Sequence, residues 1–219
     1  MTNEFQNLLV MTDLDGTVIN SKEAITSSAV FTLKEFGIDN IEKEDIYPTI
    51  GVPIRDVFSK YLGNQELENA VTIFRQDLVE NGKFQTHQIA NVKNVLMNLK
   101  KNGARICLVT NKRTPLAQTV INQQNLEECF DSILGCDVGQ PKPSPELLNR
   151  AMTNFPSKHN VMIGDRPEDV EAGMRAGVPT VFFEGDFRYL LDNSTMPNFY
   201  MTDWAQLNSI LKELINADR

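Results

Sequence analysis

Long apolar runs, a basic amino-terminal segment and paired cysteines are all missing from this sequence of 219 residues. No run of about 18 apolar residues is present to cross a membrane, and residues 1–6 lack the basic start and apolar core of a secretory signal. The three cysteines, Cys107, Cys129 and Cys136, show no CxxC spacing. We therefore expect reduced thiols in a protein of the cytoplasm, with no membrane partner.

Positive charge is also in short supply. Lysine and arginine total 21 residues against 29 aspartates and glutamates, which gives a formal net charge of −8. Such a surface repels nucleic acid, so we expect no nucleic-acid partner. A small anionic substrate would need a metal ion or a lysine at its site. The sequence offers no cluster of His and Cys for zinc, because His87 and His159 stand alone.

Short apolar runs alternate with amphipathic segments over most of the chain. The run Leu8–Met11 is typical of a buried parallel strand. Further strands are predicted at 104–110, 133–134, 161–163 and 178–183, and helices at 91–101, 145–155, 168–176 and 203–215. This alternation predicts an α/β fold, with a Rossmann-like three-layer core around a central parallel sheet.

Residues 20–87 interrupt the alternation, because they carry helical patterns and no convincing strand. Apolar residues recur at helical spacing from Ile25 to Phe36 and again from Leu67 to Leu78, and glycine follows each pattern. We therefore predict a small helical domain at 20–87, inserted into a catalytic core made of 1–19 and 88–219.

Acidic residues follow two of the predicted strands. Asp13 and Asp15 come directly after the first, and Asp165 follows the strand at 161–163, with Asp169 close behind. Ligands of α/β sheets bind beyond the carboxyl ends of the strands, where these acids would meet. Mg²⁺ prefers oxygen ligands and binds through one or two carboxylates plus substrate phosphate. The two acidic pairs therefore predict a magnesium site.

A site with several acids and a phosphate also needs a cation and hydrogen-bond donors. Lys142 lies between Pro141 and Pro143, which stiffen its backbone, and is the best candidate. Thr110 and Asn111 follow another predicted strand and offer a hydroxyl and an amide at the same edge.

These segments together resemble the four ordered motifs of the haloacid dehalogenase superfamily. The motifs correspond to Asp13-Leu14-Asp15-Gly16-Thr17, Thr110-Asn111-Lys112, Lys142-Pro143, and Gly164-Asp165 with Asp169. The helical insert is similar to the C1 cap of that superfamily, and Gly51-Val52-Pro53 adds a likeness to its phosphoglycolate phosphatase-like members. The resemblance covers essentially the whole chain outside the insert.

The resemblance implies a Mg²⁺-dependent phosphatase, a hydrolase that cleaves the phosphate monoester of a small phosphorylated substrate. Asp13 would be the nucleophile that forms an aspartyl-phosphate, and Asp15 would protonate the leaving group and then activate water. Thr110 and Lys142 would hold the phosphoryl oxygens. Mg²⁺ would be bound by the Asp13 carboxylate, the Asp15 backbone carbonyl and Asp165.

Other residues receive supporting roles in the same way. Asp169 would orient the metal waters or Lys142, while Thr17, Asn111 and Arg55 are candidate substrate contacts. The cap would close over the site and choose the substrate. The oligomeric state stays open between a monomer and a homodimer.

Several alternatives remain open. Arg55 lies near the position where β-phosphoglucomutase-like enzymes bind a second phosphate, so a phosphomutase is the main rival, beside a pyrophosphatase or nucleotidase of the same family. A haloacid dehalogenase would lack Asp15, and a phosphonatase would need a cap lysine in an apolar run. A phosphate-accepting receiver domain would have no cap. The chain also departs from the family pattern at 88–91, without the usual Pro-Gly pair, and at Arg166-Pro167.

Overall fold

The computed structural model describes residues 4–185, 191 and 195–217. The chain divides into two compact units. One combines Met1–Ile19 with Gln88–Arg219, and the other is Asn20–His87. Among the described helices, none has the length and apolar character needed to span a membrane.

The strands are short, and most of them belong to one sheet. They are β1 (Leu8–Thr12), β2 (Ile19–Asn20), β3 (His87–Gln88), β4 (Arg105–Val109), β5 (Ser132–Leu134), β6 (His159–Gly164), β7 (Thr180–Phe183) and β8 (Phe199–Met201). Six strands form a sheet in the order β5-β4-β1-β6-β7-β8, and every neighbouring pair is parallel. The short strands β2 and β3 pair with each other. The predicted α/β fold with a central parallel sheet is confirmed.

The helices are α1 (Lys22–Glu35), α2 (Lys43–Ile46), α3 (Ile54–Phe58), α4 (Leu67–Glu80), α5 (Val92–Lys101), α6 (Thr114–Gln123), α7 (Glu146–Asn154), α8 (Pro167–Ala176) and α9 (Leu207–Ala217). Parallel strands need a connection that crosses over the sheet, and α6, α7 and α8 lie in the connections from β4 to β5, from β5 to β6 and from β6 to β7. A 3₁₀ turn, Trp204–Gln206, precedes α9, and Asp203 caps this turn with a carboxylate that accepts a hydrogen bond from Ala205 N at 2.8 Å.

Both faces of the sheet are buried, which explains why its central strands are continuous apolar runs. Leu8 and Val10 of β1 pack into a cluster with apolar residues of α5, α6 and α9. Leu9 and Met11 of the same strand face the opposite side and pack with α7 and α8. Successive strand residues point to opposite faces, so a strand covered on both sides needs apolar residues throughout.

Two elements of the sheet unit were not predicted. Helix α6 buries Ala117, Val120 and Ile121 at helical spacing, so its signal was present in the sequence. Strand β8 has only three residues at the sheet edge, and Tyr200 is exposed there. A short, half-exposed edge strand lacks the continuous apolar run by which the central strands are recognised.

The unit Asn20–His87 is helical between its two short end strands. Helices α1 and α4 pack against each other and bury Leu33, Ala70 and Leu78. The rings of Phe58 in α3 and Phe74 in α4 meet edge to face, with centroids 5.9 Å apart. This unit therefore has a small apolar core of its own.

Candidate active site

The carboxyl ends of β1 and β6 lie side by side, because these strands are parallel neighbours in the middle of the sheet. Asp13 follows β1, and its backbone N–H donates to the carbonyl of Ile163 in β6 at 2.9 Å. Asp165 follows β6. The parallel register of two apolar strands thus brings acids that are 152 positions apart to one edge of the sheet.

Three buried carboxylates gather at this edge. Oxygen atoms of Asp13, Asp165 and Asp169 all lie within 4.8 Å of one another, and each residue is at most 6% exposed. Asp169 comes from the first turn of α8, where its Oδ2 accepts a hydrogen bond from Arg166 N at 3.1 Å. A set of three carboxylates at this spacing could hold a metal ion.

Lys142 contacts two acids of this cluster with its ammonium group. Its Nζ lies 2.7 Å from Asp13 Oδ1 and 2.5 Å from Asp169 Oδ1, and the residue is 4% exposed. Burial disfavours the ammonium form, but the charges of Asp13 and Asp169 outweigh it and raise the pKa of Lys142. Lys142 is therefore charged at neutral pH and holds the two carboxylates that it contacts.

One ammonium does not balance three carboxylates. Burial, together with the charges of Asp13 and Asp169, raises the pKa of Asp165 well above its usual value. Burial also raises the pKa of Asp169 to about 6, although Lys142 opposes the shift. Ionising all three acids at once is therefore unfavourable here, and a divalent cation would offset the repulsion among their carboxylates.

Two glycines let these carboxylates approach the backbone. Gly16 has φ of 92°, and a Cβ there would collide with the carboxylate of Asp165. A Cβ on Gly164 would collide in the same way with the side chain of Asp169. Both glycines are thus required by the close approach of an acid.

Thr17 is fully buried beside Asp165. Its hydroxyl donates to Asp165 Oδ1 at 2.7 Å, and its carbonyl accepts a hydrogen bond from Trp204 Nε1 at 2.8 Å. Thr17 therefore anchors one carboxylate of the cluster, and the predicted contact with substrate stays a prediction.

Asp15 lies outside the three-carboxylate cluster and pairs with Lys112. Lys112 Nζ is 2.9 Å from Oδ1 and 2.7 Å from Oδ2 of Asp15. Sequence reasoning did not assign a role to Lys112, although it directly follows Thr110 and Asn111 in the second motif. Lys112 therefore lies in a segment that the sequence analysis had singled out, but only the fold shows that its partner is Asp15.

Thr110 and Asn111 form the start of the loop after β4. Thr110 is buried, and its Oγ1 accepts a hydrogen bond from Lys112 N at 3.1 Å. The Asn111 side chain binds the backbone of Lys142 on both sides: its Nδ2 donates to Lys142 O at 3.0 Å, and its Oδ1 accepts from Lys142 N at 2.7 Å. The fold thus joins the second motif to the third.

The two arginines differ in their surroundings. Arg166 is buried at the N-cap of α8 and makes two hydrogen bonds to Glu168 in the first turn of that helix, at 3.0 and 2.9 Å. Arg55 belongs to α3 of the helical unit, where it is half-exposed and pairs with Glu68 at 3.0 Å. The predicted contact between Arg55 and substrate stays a prediction.

Comparison with known proteins agrees with this geometry. The family model of the haloacid dehalogenase-like hydrolases matches residues 10–183. A phosphoglycolate phosphatase of Aquifex aeolicus is 30% identical over 206 residues, which cover 93% of this chain and 96% of the relative. The pyrophosphatase PpaX of Bacillus cereus strain Q1 is 30% identical over 211 residues, covering 94% and 96%.

A solved structure gives the same result for the fold. A haloacid dehalogenase-like hydrolase family protein of Streptococcus pneumoniae superposes with a TM-score of 0.79 at 20% identity, covering 93% of this chain and 97% of that one. The enzyme class predicted from the sequence, a hydrolase that acts on phosphate esters, is confirmed. The chain belongs to the haloacid dehalogenase-like hydrolases.

Proposed function

We propose that this enzyme is a Mg²⁺-dependent phosphatase that hydrolyses small phosphate monoesters through an aspartyl-phosphate on Asp13. The observation that carries the proposal is the arrangement around Asp13. Its carboxylate is buried, is held by Lys142 at 2.7 Å, and lies within 4.8 Å of the carboxylates of Asp165 and Asp169. A buried acid beside a lysine and two further acids is suited to attack on an anionic phosphate once the excess negative charge is neutralised.

The donor set fits Mg²⁺. All three side chains offer oxygen, and when ionised they would carry more negative charge than Lys142 neutralises. Asp13, Asp165 and Asp169, with the backbone carbonyl of Asp15, would hold the ion directly or through its waters. When bound, Mg²⁺ supplies positive charge that lets a carboxylate approach a phosphate and stabilises the charge of the transition state.

The first half of the proposed reaction transfers the phosphoryl group to the enzyme. A carboxylate oxygen of Asp13 forms a bond to phosphorus while the bond from phosphorus to the ester oxygen breaks. The electron pair of that bond stays on the leaving oxygen, which takes a proton from the carboxyl group of Asp15. Lys142 and the hydroxyl of Thr110 would stabilise the phosphoryl oxygens.

The second half restores the enzyme. Asp15, now a carboxylate, takes a proton from a water molecule as the water oxygen bonds to phosphorus. The bond between phosphorus and the Asp13 oxygen breaks, which releases inorganic phosphate and leaves Asp13 as a carboxylate. Asp15 ends protonated, as it began, so the cycle balances.

The relatives guide the choice of substrate. One is named a phosphoglycolate phosphatase and the other a pyrophosphatase, at the same identity and almost the same coverage. We therefore propose small phosphate esters of the phosphoglycolate type as substrates, with pyrophosphate as the second candidate. The inserted helical unit at 20–87 would act as the cap that selects among them. A cytoplasmic location, as expected for three free cysteines, belongs to the same proposal.

The test is a Mg²⁺-supplemented activity screen with 4-nitrophenyl phosphate, phosphoglycolate, pyrophosphate, a hexose phosphate and a nucleoside monophosphate. We expect turnover that stops in EDTA and in the Asp13→Asn variant. Asp39→Asn removes an exposed acid and is expected to retain full activity. Wild-type protein without turnover on any of these compounds would refute the proposal, and isomerisation of a hexose phosphate faster than its hydrolysis would favour the mutase.

A further inference from the structure

The side chain of Asn111 makes the pair of hydrogen bonds that a neighbouring strand would make, at the point where the pairing of β4 and β5 ends. Strands β4 and β5 pair in register as far as Val109 and Leu134, and the N–H of Thr110 adds a last bond to the carbonyl of Leu134 at 3.0 Å. The chain then leaves the ladder and returns to this edge at Lys142. There the amide of Asn111 accepts from the N–H and donates to the carbonyl of one and the same residue, as a neighbouring strand does.

These two bonds satisfy backbone groups that have little access to water. Lys142 is 4% exposed, and an unpaired backbone N–H or carbonyl is costly in such a place. The two prolines that flank Lys142 have no N–H to donate, so the immediate neighbours of this residue cannot pair as donors. The position of the Lys142 backbone is therefore fixed by Asn111.

Asn111 also follows Thr110 directly in the chain. Thr110 is buried at the end of β4, and its backbone is tied to β5. A single amide thus links the segment that carries the Thr110 hydroxyl to the segment that carries the Lys142 ammonium. The ammonium in turn lies 2.7 Å from Asp13 and 2.5 Å from Asp169, so a shift of its backbone would disturb the contacts of both acids.

We infer that Asn111 is a positioning residue that acts on the reaction through Lys142, instead of a substrate contact in its own right. Both polar atoms of its side chain are engaged by the Lys142 backbone, which leaves little of the amide for a ligand. The inference rests on the proposed function, because it gives Lys142 a role at the transferring phosphoryl group.

A double-mutant cycle separates the two roles, since residues that act through one another are not additive. The variants are Asn111→Ala, Lys142→Met and the double variant, assayed on 4-nitrophenyl phosphate with saturating Mg²⁺. We expect Asn111→Ala to lower kcat by about 10- to 100-fold, as misplaced catalytic groups do, with a much smaller change in KM. In the Lys142→Met background the same change should lower kcat by less than about twofold.

The matched control is Asn98→Ala. The Asn98 side chain also accepts a hydrogen bond, from Asn102, but it does so on an exposed stretch of α5, and its removal should leave kcat unchanged in both backgrounds. Asn111→Ser is a second variant, because its hydroxyl can replace one of the two bonds. It should show the same coupling with a smaller loss, even if Asn111→Ala folds poorly.

The outcomes are distinct. A loss of kcat on Asn111→Ala that disappears in the Lys142→Met background supports the inference. Losses that multiply in the double variant, or a rise in KM with kcat unchanged, would show a direct substrate contact and overturn it. A wild-type enzyme without turnover would refute the proposed function, and the inference with it, whereas turnover with multiplicative losses removes the inference alone.

Discussion

The Asp165→Asn substitution tests the electrostatics of the carboxylate cluster. In metal-free protein, Asp165 is buried beside two other carboxylates, and its pKa is raised by burial and by their charges. Removing its charge should therefore stabilise the metal-free fold. The Asn side chain keeps an oxygen that can accept the hydrogen bond from Thr17, so little packing is lost.

The size of the effect follows from the spacing of the charges. Two unit charges 4.8 Å apart interact with about 3.5 kcal/mol at an effective dielectric constant of about 20. Lys142 offsets part of the repulsion, because it contacts both other carboxylates. We expect a net gain of about 1–2 kcal/mol, which for a chain of this size raises Tm by roughly 2–8 °C.

The assay is thermal unfolding in EDTA and in excess MgCl₂. Binding of Mg²⁺ at about 100 times its Kd should stabilise the wild type by about 2.7 kcal/mol, and Asp165→Asn should lose most of that shift together with its activity. Asp39→Asn removes an exposed acid from the same acidic chain and should change Tm little in either buffer. A Tm in EDTA that is lower for Asp165→Asn than for the wild type, or a wild-type Tm that Mg²⁺ does not raise, would refute this account of the cluster.

Three further predictions concern pH, the second ion pair and the thiols. The pKa values of Asp165 and Asp169 are raised in the folded state, so the metal-free fold binds more protons than the unfolded chain. The Tm of the metal-free protein should therefore rise as pH falls from 8 towards 6. A Tm that stays constant or falls over this range would contradict the raised pKa values. Lys112→Met should lower kcat on 4-nitrophenyl phosphate by about tenfold or more, because Asp15 loses its ion-pair partner. Lys112→Arg keeps the positive charge and should retain most of the activity. An equal loss of kcat in both variants would contradict a role for the charge of Lys112. Burial raises the pKa of the Cys107 thiol to about 12, so a thiol reagent at pH 8 should leave Cys107 unlabelled until guanidinium unfolds the chain, as mass spectrometry of labelled peptides can verify.

Much of the fold could be predicted because the sheet is buried on both faces. Strands β1 and β6 each contain a continuous apolar run, and acids follow each of them. Their place in the sheet and their common edge could therefore be predicted from local sequence. In the sheet unit, prediction missed α6 and the edge strand β8, which has three residues and an exposed Tyr200. The pattern of β8 was too short to separate from loop sequence, whereas α6 carried a helical spacing of apolar residues that was not recognised.

The sequence by itself determined which acids stand at the ends of strands, because that depends on where an apolar run stops. Which cation meets which acid was decided only by the tertiary structure. Lys142 and Asp13 are 129 positions apart, and Lys112 and Asp15 are 97 apart, so each contact depends on the path of loops that no periodicity describes. The hydrogen bonds between the Asn111 side chain and the Lys142 backbone were also decided only by the tertiary structure. The two residues are 31 positions apart, and such a contact leaves no periodic pattern in the sequence.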